Sequence, residues 1–229
     1  MNIGERVAEV KANIQRACER SGRSADEVTL MAVTKYVEPE RIAEALDAGI
    51  DLVGENHAQE LTKKLTFYKQ RGCGVHFIGH LQTNKIKYIC GSVDLIESVD
   101  RLDALVKLNE YAQRHDVKQG ILLQVNIGDE TQKSGVCEDD LFALADAALS
   151  MDSVIVKGLM CVPPAVNAEQ ARPYFRHMKE LMSVMRERFP MMELSVLSMG
   201  MSHDYETAIE EGSTLVRVGT SIFGPRPMM

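Results

Sequence analysis

Eight short apolar runs, separated by stretches with helical spacing, constrain this chain more than any single motif does. The runs are VTLMAVTK (28–35), IDLVGEN (50–56), VHFIGH (75–80), VDLIESV (93–99), GILLQVNIG (120–128), VIVKGLMCV (154–162), LSVLSMG (194–200) and TLVRVGTSIFG (214–224). Helical stretches over 39–49, 100–115, 138–149 and 171–189 lie between them. Strands that are apolar along most of their length and separated by helices specify a parallel sheet covered on both faces. About eight strands is the number that closes a barrel in this architecture. An open dinucleotide-binding sheet should carry G-x-G-x-x-G after its first strand, and here that strand ends in Thr34-Lys35-Tyr36. The expected fold is α/β: one (β/α)8 TIM barrel spanning 1–229 as a single domain, with an extra N-terminal helix over 1–21 packed on it.

Composition closes off several alternatives. No apolar run approaches the roughly 18 residues of a membrane span, and the amphipathic, mixed-charge N-terminus lacks the features of a secretory signal. Five scattered cysteines without a CxxC pair argue against a disulfide framework or zinc site and suit a reducing cytoplasm. The six histidines show no metal-ligand spacing, so no metal is expected. With a net charge of −7, no Trp and 5% aromatics, the chain lacks the basic stripe and stacking platforms of a nucleic-acid binder. Its densest basic stretch, Lys63-Lys64 to Lys69 and Arg71, is spaced like a solvated helix face.

Most apolar runs end in polar or glycine residues. In a β/α barrel the strand C-termini converge on one face, so these endings meet in one site. Lys35 ends the first run. A lysine at the exit of a buried strand loses hydration, which favours its neutral, nucleophilic form and Schiff-base chemistry with a carbonyl compound. The plainer alternative is a lysine that extends to solvent.

The last two strands add an anion site. Barrel enzymes often hold phosphate with the loops after strands seven and eight. Here those strands run into Ser198-Met199-Gly200-Met201-Ser202 and Gly219-Thr220-Ser221. Glycine permits close backbone approach, and Ser and Thr hydroxyls add donors. Alternatively Gly200 and Gly219 serve tight turns and Ser202 caps a helix. Arg217 shares a strand face with Gly219. It either binds an anion, faces a ring nitrogen of a cofactor, or forms a surface salt bridge with Glu210 or Glu211. Asn56 and His80 are further donors at the same face, although His80 could equally cap a helix. A Ser198–His80–Asp204 triad lacks the G-x-S-x-G elbow.

The segments AVTKY (32–36), GEN (54–56), HFIGHLQTNK (76–85), SVDR (98–101), QVNIGDETQKSGV (124–136), GLM (158–160), LSMGMSHDYETAI ending at Ile209, and VRVGTSIFG (216–224) resemble the pyridoxal phosphate homeostasis protein family across the whole chain. The resemblance implies a barrel like the N-terminal domain of alanine racemase, binding pyridoxal 5′-phosphate (PLP) as an internal aldimine on Lys35. It implies that Ser198, Gly200, Gly219 and Thr220 hold the phosphate and that Arg217 faces the pyridine nitrogen. Asn56 and His80 would lie beside the ring, with Met199 and Met201 lending backbone donors and apolar contacts. It further implies a cytoplasmic monomer, without established catalysis, that controls vitamin B6 and amino-acid balance and passes PLP to apo enzymes. Two alternatives remain: a PLP-dependent amino-acid racemase, which needs a second base such as Tyr36, and a cofactor-free Schiff-base aldolase, which needs Glu55 or Glu97 as acid–base group.

Overall fold

A computed structural model describes residues 1–130, 132 and 134–225, so Thr131 and Lys133 of the QVNIGDETQKSGV segment lie outside the described residues. Eight parallel strands close into a barrel in sequence order. They are β1 (Thr29–Val33), β2 (Leu52–Glu55), β3 (Gly74–Phe77), β4 (Leu95–Val99), β5 (Gln119–Val125), β6 (Val154–Cys161), β7 (Val196–Met201) and β8 (Leu215–Val218). The helices are α1 (Ile3–Ser21), α2 (Pro39–Asp47), α3 (Ala58–Arg71), α4 (Ile86–Ile89), α5 (Leu102–Arg114), α6 (Glu138–Leu149), α7 (Ala168–Arg188), α8 (Tyr205–Glu210) and α9 (Thr220–Phe223). Among the described residues no helix is long and apolar enough to cross a membrane.

The extra N-terminal helix is present as α1. A capping box starts it: the Glu5 N–H donates to Asn2 Oδ1 at 2.8 Å, and the Asn2 N–H to Glu5 Oε2 at 2.9 Å. Ile3, Val7, Val10, Ile14 and Ala17 recur at helical spacing and are buried, packed towards α2, α8 and α9.

Period-two alternation sorts the strand residues between two cores. One face of each strand packs outward against the helices, with Ala32, Val53, Phe77, Ile96 and Val216 in one continuous cluster. The other face fills the barrel: Met31, Leu52 and Leu215 form one inner group, and Leu95, Leu122 and Met160 another. Each such side chain contributes about 1.5–3 kcal/mol on burial. Two residues further along β4, β7 and β8, the inward face changes to Glu97, Ser198 and Arg217, all buried. A polar layer therefore caps the apolar fill on the side of the strand C-termini.

Two expectations need correction. The run 214–224 is not one strand, because β8 stops at Val218 and Thr220–Phe223 form a short helix. The basic stretch of α3 is not wholly solvated either. Lys64 is only 7% exposed, because α3 turns it inward onto Glu55 and Glu60.

Candidate functional site

At the C-terminal mouth of the barrel lies a cavity of about 360 Å³. The exit of β1 supplies Val33, Lys35 and Tyr36, and α2 supplies Arg41. Asn56, Ile78, Met160 and Val162 come from the ends of β2, β3 and β6. Met201, Ser202 and His203 follow from β7, and Arg217, Gly219, Thr220 and Phe223 from β8 and α9. Three of these side chains are cationic, and no carboxylate lines the cavity among the described residues. On a chain of net charge −7, this is a local reversal of sign suited to an anion.

Both neighbours of Lys35 are tied to α3. The Thr34 carbonyl accepts from Lys64 Nζ at 2.8 Å, and Thr34 Oγ1 donates to Glu55 Oε1 at 2.8 Å. The Tyr36 N–H donates to Glu60 Oε1 at 2.7 Å. Lys64 bridges the two glutamates, 3.1 Å from Glu55 and 2.6 Å from Glu60. Tyr68 adds a 2.5 Å bond to Glu55. Burial first, and then the Glu55 charge, push the Tyr68 phenol far above its usual value, so it stays a donor. Tyr36 itself has φ +60°, a conformation costing about 1 kcal/mol or more for a non-glycine residue. Its Oη lies 3.0 Å from His57 Nε2.

Asn56 lines the cavity just past β2, where its backbone packs against Gly79 just past β3. A Cβ on Gly79 would stand 1.9 Å from the Asn56 carbonyl oxygen, so only glycine fits. Asn56 Oδ1 is buried and accepts no hydrogen bond among the described residues. An unmet buried acceptor costs about 1–3 kcal/mol, and here it marks a place for a ligand donor.

The two loops opposite are joined through one hydroxyl. Ser202 Oγ accepts the backbone N–H of Gly219 at 3.2 Å and of Ser221 at 3.4 Å, leaving its own proton as its remaining donor. Ser202 is thus a cross-loop clamp and not a plain helix cap. Beneath the loops Arg217 is only 4% exposed. Its Nη1 donates to Ser198 Oγ at 2.6 Å and its Nη2 to the Cys161 carbonyl at 2.7 Å. The surface salt bridge is excluded, since Glu210 and Glu211 pair with Arg20, Arg172 and Arg176.

Of the expected site residues, the fold brings Lys35, Asn56, Arg217, Gly219 and Thr220 to one cavity. Ser198, Met199, Gly200 and His80 do not line it. Ser198 points into the barrel, where its hydroxyl is taken up by Arg217 and by Glu97 at 2.5 Å. Met199 alternates to the outer core. Gly200 has φ +93°, and a Cβ there would sit 2.6 Å from the Ala208 Cβ, so its small size serves the packing of α8. His80 is exposed, with Nδ1 3.4 Å from Ser134 Oγ. The hypothetical triad is not assembled, because Asp204 instead accepts the Met201 N–H at 2.6 Å. Glu55 lies behind the sheet against α3, and Glu97 lies inside the barrel against His76 at 2.7 Å. Neither lines the cavity, where the aldolase alternative needs one. Sequence reasoning gave no cavity role to Arg41, and for Ser202 it offered only a loop donor or a cap. The Gly-Met-Ser stretch was the available signal for the latter; for Arg41 there was none.

The family model for the alanine racemase N-terminal domain matches residues 6–227. A protein of Aquifex aeolicus named pyridoxal phosphate homeostasis protein is 44% identical over 227 residues, 99% of each chain. A crystal structure from Bifidobacterium adolescentis, described only as an unknown protein, superposes with a TM-score of 0.91 at 36% identity, covering 96% of this chain and 94% of that one. The structure of PipY from Synechococcus elongatus with PLP bound superposes with a TM-score of 0.85 at 30% identity, covering 97% and 100%.

Proposed function

Because the chain belongs to the pyridoxal phosphate homeostasis protein family, we propose that it binds PLP at the barrel mouth, covalently through Lys35, and serves intracellular vitamin B6 and amino-acid balance. The observation that carries this reading is the cavity itself: among the described residues, a lysine, two arginines and no carboxylate around about 360 Å³. That volume lies within the ordinary range of small-molecule sites, about 300–1,000 Å³. The donor set fits the cofactor too. A phosphate needs cations and hydroxyls, a pyridine nitrogen needs a donor, and Asn56 Oδ1 has a vacant acceptor position.

Ser202, Gly219 and Thr220 are assigned to the phosphate, with each charge-assisted bond contributing about 1.5–3 kcal/mol. Ser198, Met199 and Gly200 support these loops from below and behind. Arg217 is assigned to the ring nitrogen, where a guanidinium donates and cannot take up a proton. Asn56 lies beside the ring, and His80 stands outside the rim. When bound, PLP supplies an aldehyde for amines and an electron sink that this arginine keeps weak. The chain's own contribution is binding, orientation and exchange, which suits a non-catalytic, monomeric cytoplasmic carrier that hands PLP to apo enzymes.

The racemase alternative keeps one supporting observation, that Tyr36 lines the cavity with His57 at 3.0 Å. The deciding experiment is an absorption spectrum of purified protein before and after borohydride reduction, repeated on Lys35→Ala. A visible band lost in the variant, with the reduced adduct on residue 35 by mass spectrometry, supports the proposal. A protein that stays colourless with added PLP, or an adduct on another lysine, refutes it. Racemisation of free amino acids that disappears in Lys35→Ala would replace the carrier role.

A further inference from the structure

Inside the barrel, below the cavity, four polar side chains from four strands form a continuous hydrogen-bonded line. His76 Nδ1 of β3 lies 2.7 Å from Glu97 Oε1 of β4. Ser198 Oγ of β7 donates to Glu97 Oε2 at 2.5 Å and accepts from Arg217 Nη1 of β8 at 2.6 Å. Glu97 and Ser198 have no solvent exposure. We infer that Glu97 and His76 are positioning residues, setting the orientation and charge balance of Arg217 through the Ser198 hydroxyl. This inference rests on the cofactor reading for its consequence, but its geometry stands apart from that reading.

The direction of the line follows from counting protons. Ser198 has one hydroxyl proton, and the carboxylate is its strongest acceptor, so the oxygen's lone pairs are left for Arg217. Successive bonds of this kind polarise one another in a low-dielectric interior. The guanidinium is always charged, and here its charge is balanced by Glu97 one hydroxyl away. His76 donates to that carboxylate in the tautomer that carries its proton on Nδ1. With Nη2 fixed on the Cys161 carbonyl at 2.7 Å, both terminal nitrogens are anchored and the plane of the guanidinium is set. Asp204 also feels Arg217. Burial raises its pKa overall, against the lowering effects of the Met201 N–H that it accepts and of the Arg217 charge.

Stability alone does not account for this layer. The adjacent layer is filled by Leu52, Leu95, Leu122 and Leu215, and apolar residues generally fill such space at no greater cost than buried ions. The polar layer departs from that rule at the level that touches the cavity, and Arg217 is the member that lines it.

Two variants of the full chain separate charge from linkage. Glu97→Gln keeps the shape: its amide oxygen accepts from Ser198, and its amide N–H meets Nδ1 of the other His76 tautomer. Ser198→Ala keeps the charge and breaks the link. In protein loaded with PLP, Glu97→Gln should move the pH midpoint of the visible band downwards by about half a unit or more, because an unbalanced guanidinium disfavours a nearby protonated nitrogen. Ser198→Ala should weaken PLP binding by about tenfold, the loss of one charge-assisted bond. Thermal melts of the apo proteins establish that each variant is folded. In apo protein, the guanidinium N–H signals of Arg217 should exchange slowly in the wild type and lose that protection in Ser198→Ala. A folded Ser198→Ala with wild-type affinity, midpoint and N–H protection overturns the inference, whether or not Glu97→Gln folds. Wild-type protein that takes up no PLP defeats the cofactor reading, and the apo exchange experiment then decides the relay alone.

Discussion

Ser202 accepts the backbone N–H of Gly219 at 3.2 Å, so the loop after β7 holds the loop after β8 in place through one side-chain oxygen. A second bond from the Ser221 N–H, and one from Ser221 Oγ to the Ser202 carbonyl at 3.3 Å, complete the clamp. A phosphate gripped by both loops would depend on their spacing, which Ser202 sets.

Replacing Ser202 by Ala removes this clamp and one cavity donor together. PLP affinity should fall by about tenfold or more, while the apo protein loses about 1 kcal/mol of stability. Equilibrium titration with PLP and urea denaturation measure the two separately. Unchanged affinity would show that the phosphate lies elsewhere.

Gly79→Ala tests the close approach that places Asn56. The new Cβ would meet the Asn56 carbonyl oxygen at 1.9 Å, so one strand end must move. The expected loss is about 2 kcal/mol or more of stability, together with weaker PLP binding. Wild-type stability in denaturant would mean that the two chain segments separate without strain.

Lys64→Met leaves Glu55 buried without a cation and releases the Thr34 carbonyl and Glu60, through which the two residues flanking Lys35 are held. Breaking a buried pair from one side costs about 3 kcal/mol or more. The double variant Glu55→Gln with Lys64→Met should recover part of that loss, because no buried charge is then stranded. A double-mutant cycle in urea checks this, and simple additivity would count against the pairing.

His177 provides a pH test away from the cavity. Burial opposes its charged form, but Glu138 at 2.8 Å and Glu180 at 3.4 Å outweigh burial and hold its pKa above the usual 6.5. A raised folded-state pKa contributes stability that is fully present below the unfolded value and lost as pH rises through the folded one. His177→Gln should therefore lower the Tm more below about pH 6 than above about pH 8. The site is 44% exposed, so the effect is small and weakened by salt. An equal Tm difference at both pH values would remove the titration from the account.

All eight strands fall within or beside the apolar runs, because period and β-propensity are local properties. Lys35 was legible for the same reason: it ends the first run. Lys64 was not, since its burial depends on Glu55 from another element. Ser198 illustrates the intermediate case. Alternation says that it faces inward, but whether it reaches the cavity or lies one layer below depends on strand stagger.

By itself, the order of residues determined the strand count, the face each side chain takes, and the ends that would carry polar groups, since all three follow from spacing along one segment. Only the closed barrel decided depth, partner and charge balance: Ser202 on Gly219, Ser198 under Arg217, and Glu97 under Ser198. Those relations join residues up to 101 positions apart, and they come into being when parallel strands slide into register around a common axis.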